Sequence, residues 1–237
     1  MAREKPIAKN LDSKPDEALD FALRSASELY EALDHKESRP QELREQVVIK
    51  TRITEHYGSE TEIHYEYAVE GDLPLIATRF RLFDLPDKQS IVDSKPNVER
   101  TDGRGKIVVL PAINDGREKG YVICFSPPVS SRLGSCSWVS RHRVLGDFLK
   151  LKSREDEVFS YRARARAAKH ELKVVLELRI DAALPGIEPR PTFQPKSMSG
   201  PEDCVVEGRA HRLFRIEPEP TLINETTVEY NVTLTVP

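Results

Sequence analysis

What this sequence has little of excludes more than its contents announce. Its three cysteines, Cys124, Cys136 and Cys204, are odd in number and far apart, which excludes a disulfide framework and suits a reducing compartment. No apolar run approaches the roughly 20 residues of a membrane-spanning helix. The polar start MAREKPIAKNLDSKPDE lacks the apolar core of a signal peptide, so the expected location is cytoplasmic, with no membrane contact. Charge of one sign is lacking too: 36 Lys and Arg stand against 39 Asp and Glu, a net charge of -3. That excludes a global pull toward nucleic acid or anionic lipid, so any such affinity has to come from a local patch. There is no Gly-x-Ser-x-Gly elbow, no Cys-x-x-Cys and no His-x-x-x-His spacing, and neither cofactor nor metal is expected.

What is present is a two-residue alternation of apolar and charged side chains. It is clearest over residues 157–180, where Phe159, Tyr161, Ala163, Ala165 and Ala167 share one parity and Arg162, Arg164 and Arg166 the other. Leu172, Val174, Leu176, Leu178 and Ile180 repeat the pattern. Strands put successive side chains on opposite faces, so this stretch predicts a half-buried antiparallel hairpin folding back near Ala168 and Lys169. Ala165 would then face Leu172, and Ala163 would face Val174. Similar strands are expected over 46–56, 60–70, 75–83, 106–113, 120–125, 135–144, 205–217 and 226–236, with a short edge strand near Ile91. Arg79 and Arg81 are expected across from the Glu62 and Glu66 row. Pro127-Pro128 is expected to stop its ladder, and the proline-rich stretch 184–201 reads as an extended crossing rather than a strand.

The fold expected is therefore mainly β: an antiparallel sandwich of about ten strands, either one unit or two packed halves, with one N-terminal amphipathic helix. The strand pattern resembles immunoglobulin-like sandwiches in architecture, a likeness that implies no function. Residues 1–42 form a tail and the helix, in which Leu19, Leu23, Leu29, Tyr30 and Leu33 recur at helical spacing after a Ser13-x-Pro15 start. Residues 43–237 form the β-domain, with a subdivision near 84–105 or 184–201 left open.

Four constellations could carry chemistry. Cys136 and His142 could form a nucleophile and base, but six residues on one strand span about 20 Å. Glu62, His64, Glu66 and His56 offer metal-ligand types at a spacing that converges poorly. Gly103-Arg104-Gly105-Lys106 has the composition of a phosphate loop but precedes a strand, not a helix. The basic set Arg141, Arg143, Arg162, Arg164, Arg166 and Lys169, with His142 bordering it, could meet a polyanion, although no aromatic residues interleave for base stacking. The function expected is a non-catalytic intracellular interaction or scaffold module, a component of a larger assembly. Its partner would be another protein, bound through the N-terminal helix or the basic face. Nucleic-acid or polyanion binding through the arginines, and a Cys/Ser hydrolase, are the alternatives.

Overall fold

The alternation read in the sequence becomes strand almost everywhere it occurs. The computed structural model describes residues 25–29, 31, 33, 40–82, 96–115, 118–184 and 186–236. Fourteen strands are found among them: β1 Glu42–Ile53, β2 Ser59–Glu70, β3 Leu75–Leu82, β4 Asn97–Arg100, β5 Lys106–Asp115, β6 Glu118–Val129 and β7 Ser135–Val144. Next come β8 Glu157–Arg164, β9 Lys169–Asp181, β10 Glu188–Pro191, β11 Ser197–Val206, β12 Arg209–Glu217, β13 Thr221–Asn224 and β14 Thr227–Thr235. A short helix, α1 Leu149–Lys152, follows β7.

Three sheets result, and the protein is mainly β. The largest has seven strands in the order β11-β12-β9-β1-β2-β7-β4. The second is β3-β6-β5. In the third, β8 pairs with β14 over residues 227–234, while β13 and β10 pair with the two ends of the same strand. A strand has only two sides, so β10 and β13 lie in line along the side opposite β8. Apolar residues of all three sheets meet in one core: Val47, Ile63 and Leu178 from the first, Phe80, Ile123 and Phe125 from the second, Tyr230, Val232 and Leu234 from the third. At its centre Trp138 stacks on its cross-strand neighbour Tyr65, ring centroids 3.9 Å apart. Phe125 from the second sheet meets the same indole edge-on, an arrangement aromatic quadrupoles favour.

Several expectations are corrected. Residues 157–180 are not a hairpin: β8 pairs with β14, whereas β9 lies between β1 and β12 in a different sheet. The pairing of β9 with β1 is parallel, with Val47 beside Val174 and Ile49 beside Leu176, so the large sheet is mixed rather than antiparallel. Residues 205–217 are not one strand, because Glu207 and Gly208 take positive φ and turn β11 back onto β12. Two strands, β10 and the first half of β11, occupy the proline-rich crossing. Pro127 and Pro128 lie within β6 beyond its last bridge to β5 at Ser126, where the missing N–H costs no ladder bond. Of the predicted helix, residues 25–29 are helical; Ala26 is buried, and Leu33 packs against Ala77 and Val122 of the second sheet. Leu19, Leu23 and Tyr30, the strand near Ile91 and the 84–95 part of the first suggested boundary lie outside the described residues.

The crossing from β8 to β9 is fixed by a buried charge. Glu45 sits on the inner face of β1 between Leu43 and Val47, with its side chain fully enclosed. Arg166 Nη1 donates to Glu45 Oε1 at 2.5 Å and to the Tyr67 hydroxyl at 2.6 Å, and His170 Nε2 meets Glu45 Oε2 at 2.9 Å. Burial alone would raise the carboxyl's pKa, but Arg166 and then His170 more than offset it and hold the group below its ordinary value. Removing one member of such a set strands the others in a low dielectric, at a cost of about 3–5 kcal/mol. Glu45→Ala is therefore expected to lower the unfolding free energy from urea melts by about that much, whereas the double replacement Glu45→Leu/Arg166→Met should lose far less. Equal losses in the two variants would show that the charges are not coupled.

A cleft between two sheet edges

The sheets leave a space where the second and third sit side by side on the first. Its floor is the inner face of β1, β2 and β7, contributed by Ile49, Thr61, Ile63, Tyr65, His142 and Val144. Its walls are two strands hydrogen-bonded along one side each among the described residues, β3 to β6 and β8 to β14. All of residues 157–166 and most of β3 line it, with Asp147 and Phe148 closing one end. The volume is about 400 Å³, within the roughly 300–1,000 Å³ of small-ligand pockets. The lining mixes aromatic and aliphatic residues with polar and charged ones, and the small side chains of Ser160 and Ala163 on β8, and of Ala165 just beyond it, leave the room.

Glu157 and five arginines, Arg79, Arg81, Arg162, Arg164 and Arg166, line this space, and with them His142 and Asp147. His142 points inward by strand parity with Trp138 and Ser140, and its ring meets Phe80 edge-on at 5.8 Å. Nδ1 is enclosed and has no hydrogen-bond partner. Burial pushes the imidazolium pKa down to about 4, so the ring is neutral at pH 7. Asp147 accepts a hydrogen bond from Ser59 Oγ at 2.6 Å, and burial raises its pKa.

The sequence-derived candidates fall elsewhere, and the six cations do not make one face. Arg141 and Arg143 lie on the outer face of β7 and bond Glu62 and Glu60; Arg141 also reaches Glu99 at 3.3 Å. Arg162 and Arg164 lie on β8 in the third sheet, as the alternation predicts, and Arg162 bonds Glu229. Arg166 leaves the alternation after β8 ends and turns inward to Glu45, which corrects its expected place on a wetted face. Lys169 bonds Glu42 at 2.6 Å. Arg81 bonds Glu118, not the Glu62 row, because β3 belongs to another sheet.

Cys136 and His142 are held at opposite ends of one unbroken strand, and burial, assisted by Asp102, raises the thiol pKa to about 11. That is the wrong direction for a nucleophile. Both oxygens of Glu62 are engaged, by His64 and Arg141, and no group of three or more metal-ligand types occurs among the described residues. Gly105 is a structural turn, since a Cβ there would sit 2.2 Å from the Ser126 carbonyl at φ +153°. Sequence reasoning missed the cleft, and its one available signal was the inward parity of His142.

No family model matches the chain, and no curated protein matches it. Among solved structures, a presumptive protease from Parabacteroides distasonis is 8% identical, with a TM-score of 0.46, over 82% of this chain and 40% of that one. An M1 zinc metallopeptidase from Deinococcus radiodurans is 7% identical, with a TM-score of 0.35, over 83% and 42%. The Fcho1 Mu homology domain of Danio rerio, solved with a bound Eps15 peptide, is 11% identical, with a TM-score of 0.22, over 85% and 82%. The chain thus spans about two fifths of the first two structures. At such scores these likenesses carry no argument about activity.

A neutral buried histidine has a pH signature. Its folded pKa of about 4 lies below the unfolded value near 6.5, so its contribution is present above pH 6.5 and is lost as pH falls through 4. Stability is expected to drop by roughly 2–3 kcal/mol across that window on this account. His142→Phe, which keeps the ring and removes the proton site, should flatten that limb in urea melts. An unchanged slope would place the titration on another group.

Proposed function

We propose that this protein is a non-catalytic interaction module of sandwich-like β architecture, which receives an extended segment of a partner protein between β3 and β8. The observation that carries this reading is a cleft with an apolar floor and strand edges on both sides. An extended peptide gains main-chain hydrogen bonds from a strand edge and places alternate side chains into the space beneath, the β-augmentation mode. The polyanion alternative draws less support, since Arg141, Arg143, Arg162, Arg166 and Lys169 each bond a carboxylate. The hydrolase alternative draws less support, since Cys136 lies at the far end of β7 from His142 and its thiol pKa is raised to about 11. A reducing, cytoplasmic setting is part of the proposal, and the unpaired state of Cys124, Cys136 and Cys204 supports it.

Photo-crosslinking tests the reading directly. Val158 lies on β8, lines the cleft and is 51% exposed, so p-benzoylphenylalanine there reports what enters. Mass spectrometry is expected to map the crosslinks to one contiguous segment of one partner, and a synthetic peptide of that segment should bind the purified protein. Ala163→Phe, shown to be folded by its near-ultraviolet spectrum, should abolish both. Crosslinks scattered over unrelated peptides, or binding undiminished by Ala163→Phe, would sink the proposal.

A further inference from the structure

Resting on the reading of the cleft as the binding site, we infer that the group it admits is a phenol, the side chain of a tyrosine in the bound segment, with its hydroxyl hydrogen-bonded to His142 Nε2. Three features of the space point to that chemistry. First, aromatic rings surround it: Tyr65, Phe80, Phe148, Phe159 and Tyr161 all line the cleft. Such walls pack an aromatic ring edge-on or offset, and they gain over their area burial by doing so. Second, His142 is the imidazole in this wall. Its Nδ1 is shut in without a partner, which leaves Nε2 as the nitrogen that can meet an occupant. An occupant that offers Nε2 a hydrogen-bond partner is favoured over an equally apolar one that does not.

Third, the charge state selects a neutral group. The imidazole is uncharged at neutral pH, and the guanidiniums of Arg81, Arg162 and Arg166 are turned onto Glu118, Glu229 and Glu45. Arg79 and Arg164 also line the cleft, and Arg79 Nη2 reaches the Glu31 carbonyl at 3.4 Å. A carboxylate or phosphate driven to the floor would be desolvated beside a neutral ring. A phenol hydroxyl both donates and accepts, so it satisfies Nε2 in either tautomer of the ring. An aliphatic or phenylalanine side chain would fill the same space and leave the nitrogen unanswered.

The test uses the purified full chain with p-cresol and toluene, two probes that differ by the hydroxyl alone. Isothermal titration, with chemical-shift mapping of the His142 ring nitrogens, is expected to give one site per chain. p-Cresol should bind about fivefold more tightly than toluene, the value of one neutral hydrogen bond. In His142→Phe the order should invert, because the hydroxyl then enters an apolar site without a partner while toluene loses nothing. Toluene binding as tightly as p-cresol in the wild type would overturn the inference, as would a p-cresol preference that survives His142→Phe. If the p-cresol preference holds while the Val158 crosslinks scatter, the peptide reading falls and the phenol site stands. A mapped partner segment with no phenol preference removes the phenol site alone.

Discussion

A buried carboxylate on β1 dictates more of this molecule than any apolar contact. Glu45 lies on the inner face of the strand at the middle of the seven-stranded sheet, where its neighbours in parity are Leu43, Val47 and Ile49. An ionised group there has to be answered by a cation brought into the core. Arg166 answers it, and to do so the chain has to leave strand geometry after Arg164 and pass beneath the third sheet toward the first. The crossing ends with Lys169 N bonded to the Gln41 carbonyl, which sets β9 in register beside β1. The parallel pair at the heart of the sheet therefore follows from where one guanidinium has to go. Tyr67 and His170 complete the set, so the polar atoms at the crossing are paired instead of stranded.

The same crossing produces the cleft. Were β8 and β9 a hairpin, β8 would lie in the large sheet and its alanines would pack against their partners. Displaced into the third sheet, β8 faces β3 across the floor of β1, β2 and β7. The second and third sheets are each held to the floor by their own aromatic and aliphatic residues, Phe80, Tyr121 and Phe125 on one side, Tyr161, Tyr230 and Val232 on the other. No strand bridges them among the described residues.

Local alternation was legible where a strand has one buried face: β1, β2, β7, β9 and β14 keep the inward and outward residues their parity predicts. In β3 the parity slips at a bulge: Ile76, which shares the parity of Thr78, Phe80 and Leu82, is 61% exposed, while Leu75 and Ala77 are buried. What periodicity could not reveal was pairing. A two-residue repeat fixes which side chains face in, yet it is silent on which strand lies alongside, and 157–180 satisfies a hairpin as well as it satisfies two sheets. Strands with little apolar content were illegible for a related reason. Almost all of β11 is exposed and it carries Gly200 and Pro201, so nothing in its composition signals burial, and it is a strand because β12 offers it a ladder. Arg166 was misplaced because parity was extended two residues past the end of the strand.

The cleft also carries an energetic implication that its lining makes specific. Interiors are packed near crystal density, and an empty cavity costs about 24 cal/mol per Å³. At about 400 Å³ a dry space of this kind would cost on the order of 10 kcal/mol, comparable to the whole stability of a typical domain. The space is therefore filled by solvent or by something that replaces solvent. Water in it finds Asp147, Thr61, the imidazole of His142 and the charged residues of β3 and β8, but beside them it meets rings and methyl groups. Such water is poorly held, and an apolar group with a single polar end displaces it to advantage. Ala163 on β8 keeps that option available, since a leucine or phenylalanine there would close the room and bring the packing toward that of an ordinary core.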